Sequence, residues 1–310
     1  MALNVFPRTL NYLDAVARLG SIQGASRALG IAASAIDRQI IGLEEACQTP
    51  LFERHARGMR LTSAGEVVVL LARRWRADEE RLEEELRTMR GEQFGTVRLG
   101  TMDSLANSIL PDLVEDFSAR YPRIRFAINI MTPQDAAHEL EIGTIDLALA
   151  FNLPADGARH VLWSTPLPFG CVVGKRHPLW TASKTTLREA SKHPLAAQSR
   201  ELPVREYLEK RYGWLFDPAE PALVTNSLQF LKQVLIGGTY LSITSQLDAL
   251  RELEDGTLSF VPLIDEGLRP QTINIAVDAH RPLPRAARLV GEALAEMLPA
   301  RLAKATADAV

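Results

Sequence analysis

The chain has 310 residues, of which 46% are hydrophobic, and a formal net charge of -3. It is long and apolar enough for two domains with separate cores, and its net charge gives no support to nucleic-acid binding. The longest aliphatic run, 67–72, is too short to cross a bilayer, and no basic segment precedes an apolar run after Met1. We therefore expect no secretory signal, no membrane association and a cytoplasmic location.

Motifs that support catalysis or cofactor binding are missing from the sequence. The six histidines show no metal-ligand spacing, and there is no Gly-x-Ser-x-Gly motif, phosphate loop or paired-carboxylate motif. Cys47 and Cys171 stand in apolar surroundings, which favours small buried side chains over a redox switch. The sequence predicts a protein that is not an enzyme and that binds no metal or cofactor.

Two short helices joined by a tight turn are predicted after residue 20. Ser21 can cap the first helix, and Gly30 can adopt the positive φ that ends it. The apolar positions between them, Ile22, Ala25 and Leu29, recur at helical spacing.

The second helix is predicted to bury Ile36, Ile40 and Leu43. Its other faces carry Ser34, Asp37, Arg38 and Gln39. Because helices joined by so tight a turn cross steeply, the second helix is free to enter the major groove of DNA. An ordinary helical hairpin followed by a solvated basic loop is the alternative.

The basic loop LFERHARGMRLT follows these helices. It carries Arg54, His55, Arg57 and Arg60 around Gly58. This density of arginine suits contacts to backbone phosphates beside the groove. Between positions 27 and 60, however, five arginines face four acidic residues, which is a weak positive balance. Charge alone is therefore too weak an argument for DNA binding, and the prediction depends on the geometry of the arginine loop. A dimer would double the contacts to DNA.

A long helix is predicted from Ser63 to about Arg90, beginning at the capping-box pattern of Ser63 and Glu66. Its apolar stripe comprises Val68, Leu71, Trp75, Leu82, Leu86 and Met89. Charged residues interrupt and surround this stripe. So polar a helix needs a partner surface, which a second, antiparallel copy would supply. The alternative is a solvated helix that lies on its own domain.

From Gly95 onward the pattern alternates between strands and helices. The predicted strands are 97–100, 125–131 and 146–151, and the predicted helices are 109–120 and 134–142. Such repeated units with short connections predict a parallel sheet with right-handed crossovers.

A second lobe is predicted to start after residues 166–168. Its predicted strands are 169–173, 240–244 and 258–261, and its predicted helices are 187–192, 203–212, 227–236 and 245–253. The chain then returns to the first lobe through a strand at 271–277 and a helix at 284–298. Two crossings, near residues 165 and 267, would join the lobes.

The whole pattern resembles the LysR-type transcriptional regulators. The matching segments are LNYLDAVARLGS, Ala25-Ser26…Leu29-Gly30…Ile36…Arg38-Gln39-Ile40, Leu43-Glu44-Glu45 and LFERHARGMRLTSAGE. The resemblance implies an N-terminal all-α winged helix-turn-helix domain at 1–62 and a dimerising linker helix at 63–91. It also implies a two-lobed α/β effector-binding domain at 92–310, of the periplasmic-binding-protein-like (type 2) architecture. Lobe I would comprise 92–166 and 267–310, and lobe II would comprise 167–266.

Sequence readout is expected on the exposed face near the start of the second helix. The candidate DNA contacts are Ala33, Ser34, Asp37 and Arg38 on this helix, and Arg54, His55, Arg57 and Arg60 in the basic loop. The family usually has Ser-Gln-Pro or Ser-Gln-Ser at 32–34 and serine at 37, where this chain has Asp37. Because the glutamine is missing and Asp37 repels phosphates, we expect specificity to depend on Arg38 and on DNA shape. A surface salt bridge from Arg38 to Asp37 or Glu45 is the alternative.

An effector is expected between the lobes, where strand ends and helix N-termini converge. The family places effector contacts after the first strand, at 101–104, and chain order suggests further positions. The expected contacts are Thr101, Met102, Asp103, Ser104, Thr132, Gln134, Gln198, Ser199, Asn226, Ser227 and Thr244. Each alone is better explained as a cap or turn residue, but as a set they could line one polar cleft. Asp103 opposes a simple dianion and favours a neutral or amine-bearing effector.

We therefore predict a regulator that binds double-stranded promoter DNA under the control of a small-molecule effector. The linker helix would form a homodimer, and the resemblance implies a homotetramer. The alternatives are a DNA-binding protein with a vestigial cleft, a solute-binding protein and an enzyme.

Overall fold

The computed structural model describes residues 6–55, 58–90, 95–154, 157–200, 202–216 and 221–307. Three helices and a hairpin form an N-terminal head. They are α1 (Arg8–Leu19), α2 (Ile22–Leu29), α3 (Ala33–Cys47), β1 (Phe52–His55) and β2 (Gly58–Leu61). Leu13, Ala25, Ile36 and Ile40 are fully buried where the three helices meet. The predicted helix-turn-helix is confirmed, and the wing is a two-stranded antiparallel hairpin.

The ends of α2 are the ones that local chemistry predicts. The Ser21 hydroxyl accepts a hydrogen bond from the Gly24 N–H at 3.0 Å. Gly30 ends the helix with φ of 67°, in the left-handed region that glycine adopts without strain. The head therefore has two short helices separated by the tight turn that the sequence predicts.

The long helix α4 (Ser63–Met89) follows the wing. Its cap is Thr62, whose hydroxyl accepts the Gly65 N–H at 3.0 Å and donates to the Pro50 carbonyl at 2.8 Å. The capping box predicted from Ser63 and Glu66 is therefore wrong, because the helix begins one residue earlier than that pattern requires.

Strands and helices of the two-lobed domain follow α4. The strands are β3 (Gly95–Thr101), β4 (Ile124–Ile130), β5 (Leu147–Phe151), β6 (Arg159–Leu167), β7 (Phe169–Gly174), β8 (Ala196–Gln198), β9 (Leu223–Thr225), β10 (Leu241–Ser245), β11 (Leu258–Pro262) and β12 (Gln271–Asp278). The helices are α5 (Asp103–Ser108), α6 (Leu110–Arg120), α7 (Pro133–Ile142), α8 (Leu187–Ala190), α9 (Pro203–Arg211), α10 (Leu228–Ile236), α11 (Leu250–Glu254) and α12 (Arg285–Ala307).

The first lobe is built on a five-stranded sheet of order β4-β3-β5-β12-β6. Strands β4, β3 and β5 are parallel, as predicted, but β12 runs antiparallel to both of its neighbours. The prediction of a purely parallel sheet is therefore wrong, because β12 enters the sheet on the return from the second lobe. Strand β6 was missed because it is an edge strand with few buried side chains.

The second lobe contains an antiparallel sheet of order β10-β7-β11 and a short parallel pair, β8 and β9. A 3₁₀ turn at Gln246–Ala249 precedes α11 where a single helix was predicted. Although this segment was assigned to the second lobe, Leu247 and Leu250 pack into the core of the first. The domain boundaries themselves remain predictions.

The two cysteines differ in their surroundings. Cys171 is buried, and this burial raises the pKa of its thiol to about 12, which keeps it protonated and unreactive. Cys47 is exposed at the last residue of α3, so the prediction that it is buried is wrong. No helix in the described ranges has the length and apolar character needed to cross a membrane.

Candidate nucleic-acid interface and inter-lobe cavity

The start of α3 presents a polar face to solvent. Ser34 and Arg38 are exposed, and Ala33 and Asp37 are partly exposed. This face lies away from Ile36, which is fully buried in the head. Arg38 forms no ion pair or hydrogen bond with any residue that the structure describes, so the alternative salt bridges to its neighbours are not formed. Its guanidinium is available to a ligand outside the chain.

Asp37 and Arg54 contact each other across the head. Arg54 Nη2 donates to Asp37 Oδ1 at 2.7 Å, which joins α3 to the first strand of the wing. Both residues are predicted from the sequence as separate DNA contacts. In the folded head, the arginine offsets the negative charge of Asp37.

The remaining wing candidates lie on the hairpin. Arg60 is exposed and stands opposite Glu53 in the strand register. His55 Nε2 lies 3.2 Å from Glu53 Oε2. Arg57 lies outside the described residues. Arg60 and His55 therefore both lie next to Glu53, in addition to the contact of Arg54 with Asp37.

Hydrogen bonds donated by backbone N–H groups fix the wing to the head. Glu44 on α3 accepts the N–H groups of Leu51 and Phe52 through Oε1, at 2.8 and 3.1 Å. On the other strand, the Met59 N–H donates to the Gly20 carbonyl at 2.7 Å. This role of Glu44 was not predicted from the sequence. The wing is thus held to both the first and the third helix.

Helix α4 exposes a row of large apolar side chains. They are Val67, Leu71, Trp75, Leu82 and Met89. Four of these belong to the predicted stripe, but Val68, which was also assigned to it, packs against the head core. The row stays unpaired within the described chain, which is unusual for a helix of a monomeric protein.

The opposite side of α4 is tied to the first lobe by an ion network. Arg81 Nη2 lies 3.0 Å from Oδ1 of the fully buried Asp146 and donates to the Gly143 carbonyl at 3.1 Å. Arg98 on β3 reaches Glu80 at 2.6 Å and approaches Asp146 at 3.7 Å. The C-terminal half of α4 therefore lies on its own chain, which is the alternative that the sequence left open for this helix.

A cavity of about 430 Å³ lies between the two lobes. It is lined by Met102, Asp103, Ser104, Ile130, Met131, Thr132, Pro133, Asp135, Phe151, Gln198, Leu202, Val204, Asn226, Leu228 and Asp248. Both lobes contribute, because the ends of β3, β4 and β5 face β8 and the start of α10. Its volume is within the range of small-molecule sites.

Six predicted effector contacts line this cavity. They are Met102, Asp103, Ser104, Thr132, Gln198 and Asn226. The Thr132 hydroxyl also caps α7 by accepting the Asp135 N–H at 3.1 Å. Thr132 therefore both caps α7 and forms part of the cavity wall.

The other five predicted contacts are not among the lining residues. Thr101 is buried and donates to the Leu149 carbonyl at 2.9 Å. Gln134 and Ser227 are exposed, and Ser227 caps α10 by accepting the Phe230 N–H at 3.3 Å. Ser199 follows β8 with a buried hydroxyl. Thr244 is buried behind the wall, where it contacts both Gln198 and the carboxylate of residue 248.

Asp248 is one of nine residues of the cavity wall that were not predicted from the sequence. It is buried, and its carboxylate accepts hydrogen bonds from the Thr244 hydroxyl, from the Ser245 N–H at 3.2 Å and from the Ser104 hydroxyl. Burial raises its pKa, and these hydrogen bonds partly offset the increase. The capping box of Ser245 and Asp248 after a strand was the available sequence signal.

Two family models match this chain. The LysR substrate binding domain covers residues 90–299, and the bacterial regulatory helix-turn-helix protein of the lysR family covers residues 7–66. The chain belongs to the LysR family. This family comprises DNA-binding transcriptional regulators with an effector-binding domain, not enzymes, and its members form oligomers.

Curated relatives of this LysR-family chain are also regulators. The HTH-type regulator YybE of Bacillus subtilis is 28% identical, with 58% of this chain and 62% of the relative covered. GalR of Pseudomonas putida is 26% identical, with 78% and 62% covered. The chain thus spans less than two thirds of either relative. Among solved structures, full-length CbnR complexed with its target DNA has a TM-score of 0.61 at 18% identity, over 98% of this chain and 99% of CbnR.

Proposed function

We propose that this LysR-family protein is a sequence-specific regulator that binds promoter DNA in the cytoplasm and is tuned by a small molecule between its lobes. The observation that supports this most directly is Arg38, which is exposed and unpaired within the described chain on a helix flanked by a wing. A guanidinium in this position can read a guanine edge in the major groove. Arg60 and Ser34 lie on exposed surfaces from which phosphates can be contacted.

The proposed DNA-binding form is a homodimer that pairs through α4. Leu71, Trp75 and Leu82 recur at near-heptad spacing and are exposed, so a second antiparallel copy would bury them. Two heads would then meet two half-sites, which doubles the phosphate contacts of a weakly basic head. Association of two dimers into a tetramer is proposed from the family resemblance. CbnR, whose fold this chain shares, has been seen with its target DNA.

The cavity supports regulation by a ligand. Both lobes line it, so a ligand that contacts both favours one relative arrangement of the lobes. Such a ligand shifts the equilibrium only by its differential affinity for the two arrangements. Because Arg81 ties α4 to the first lobe, a change between the lobes has a physical connection to the helix that spaces the heads.

The DNA half of this proposal is tested by a binding titration. Full-length protein is titrated against a labelled fragment upstream of its own gene and against a shuffled fragment of equal length, with fluorescence anisotropy as the readout. We expect Arg38→Ala to reduce the ratio of the two affinities by roughly tenfold or more, since a bidentate base contact contributes ~1–3 kcal/mol. Arg120→Ala removes the same charge from an exposed site on the first lobe and serves as the control. Full discrimination by the Arg38 variant would contradict the proposal.

A further inference from the structure

The cavity wall combines an apolar surface with acidic side chains. Its apolar members are Met102, Ile130, Met131, Pro133, Phe151, Leu202, Val204 and Leu228. Its acidic members are Asp103, Asp135 and Asp248, and the neutral polar ones are Ser104, Thr132, Gln198 and Asn226. Lysine, arginine and histidine are missing from the described lining. A ligand here meets negative charge and hydrocarbon, with no cation to receive an anion.

Two of the three carboxylates keep an oxygen available. Asp103 Oδ1 accepts from Asn107 Nδ2 at 2.9 Å, and Asp135 Oδ2 accepts from the Thr132 hydroxyl at 2.7 Å. The second oxygen of each accepts no hydrogen bond from a described residue, and neither carboxylate forms an ion pair with one. Both residues are exposed, so they face solvent as well as the cavity. Their charge is therefore not neutralised in the ligand-free protein.

A buried cation that is adjacent in sequence to the wall is directed elsewhere. Arg205 follows the wall residue Val204, but its guanidinium lies 3.8 Å from the centroid of the Phe216 ring. Its Nε lies 3.4 Å from Glu209 Oε2, which balances its charge. A carboxylate ligand would need Arg205 to leave this position.

We infer that the cavity binds an effector with an apolar body and a positively charged amine. This inference rests on the proposed function, which makes the cavity the effector site. The ammonium group would donate a hydrogen bond to the carboxylate of Asp103 or Asp135. Such a charge-assisted hydrogen bond is stronger than one between neutral groups. The hydrocarbon body would lie against Met102, Phe151 and Leu228, where it is removed from water. A dianion would be repelled by the same carboxylates, because like charges would meet in a cavity whose described lining holds no cation.

The test compares ligands that differ only in charge. Full-length protein is titrated by calorimetry with hexyl, cyclohexylmethyl and phenylethyl compounds, each as the primary amine, the alcohol and the corresponding carboxylate. We expect at least one amine to bind about tenfold or more tightly than its carboxylate and its alcohol. Asp103→Asn and Asp135→Asn should weaken binding of the amine, singly or together, and both side chains are exposed, so neither change disturbs the core. Asp116→Asn removes an equal charge from the exposed surface of α6 and should leave the affinity unchanged.

Each other outcome has a distinct meaning. Binding of a carboxylate as tightly as its amine, or unchanged amine affinity in both cavity variants, would overturn the inference while leaving the cavity an effector site. Absence of binding by every compound up to millimolar concentrations would overturn the inference together with the proposed effector site. The DNA titration in the absence of ligand reports separately on the DNA-binding half of the proposed function.

Discussion

Asp37 on the second helix of the helix-turn-helix motif holds Arg54 of the wing at 2.7 Å. The pair links two elements of the DNA-binding head, and it balances the charge of an acidic residue on the helix that we propose to face DNA. Both side chains keep substantial exposure, so the pair contributes no more than ~1 kcal/mol to stability. The pair therefore serves mainly to fix the position of the wing and to lower its net charge.

Replacing Asp37 by alanine should release Arg54 for a phosphate. We expect tighter binding to shuffled DNA and a steeper dependence of affinity on salt, by about one released counterion per protomer. Anisotropy titrations at several sodium chloride concentrations measure this slope, and Asp116→Ala on α6 is the charge-matched control. An unchanged slope in the Asp37 variant would show that the released arginine does not reach the backbone.

Replacing Trp75 by glutamate should dissociate the proposed dimer. A glutamate in the apolar row of α4 would bury a charge at the centre of the interface, and a central tryptophan often contributes ~2 kcal/mol or more. We expect the dimer dissociation constant to rise by roughly thirtyfold or more, measured by sedimentation velocity. Trp75 is 48% exposed, and Trp214 in the second lobe is 50% exposed, so Trp214→Glu is a matched control. A stable dimer of the Trp75 variant would place the interface elsewhere.

Replacing Asp146 by alanine should destabilise the junction between α4 and the first lobe. This carboxylate is fully buried and accepts from Arg81 at 3.0 Å and from the Arg98 N–H at 2.9 Å. Its removal takes the buried counter-charge from Arg81, which among the described carboxylates keeps only a 3.7 Å contact to Asp78, whereas Arg98 retains Glu80, so we expect a cost of ~3 kcal/mol. Urea unfolding followed by tryptophan fluorescence measures the loss. The exposed pair at Asp37 supplies the comparison, since Asp37→Ala should cost under ~1 kcal/mol in the same assay.

Replacing Asp248 by asparagine should stabilise the protein in a pH-dependent way. Burial raises the pKa of Asp248 in the folded state, so its contribution is fully present below the unfolded pKa and is lost as pH rises through the folded pKa. Asparagine avoids the buried charge and retains an oxygen that can accept from Thr244 and Ser245. We expect Asp248→Asn to raise the free energy of unfolding by ~1 kcal/mol or more near pH 8, with a smaller gain near pH 5. A gain that grows on acidification would contradict this sign.

Much of the head could be predicted because its signals are local. Ser21 and Gly30 end α2 through contacts within a few residues of themselves, and the buried positions of α3 follow from helical spacing. The inter-lobe position of the cavity also followed from element order, because strand ends and helix starts meet there. Errors arose where competing local signals were one residue apart, as with Thr62 and Ser63.

By itself, the sequence determined where helices and most strands form and which family the chain resembles, because capping, periodicity and glycine placement act over short distances. Only the tertiary structure decided which polar side chains meet. Asp37 and Arg54 are 17 positions apart, and Arg81 and Asp146 are 65 apart, so their contacts depend on how elements cross. The same holds for Asp248, which reaches the cavity wall because its turn packs on the first lobe. Contacts between elements that are distant along the chain cannot be predicted from the spacing of residues in the sequence.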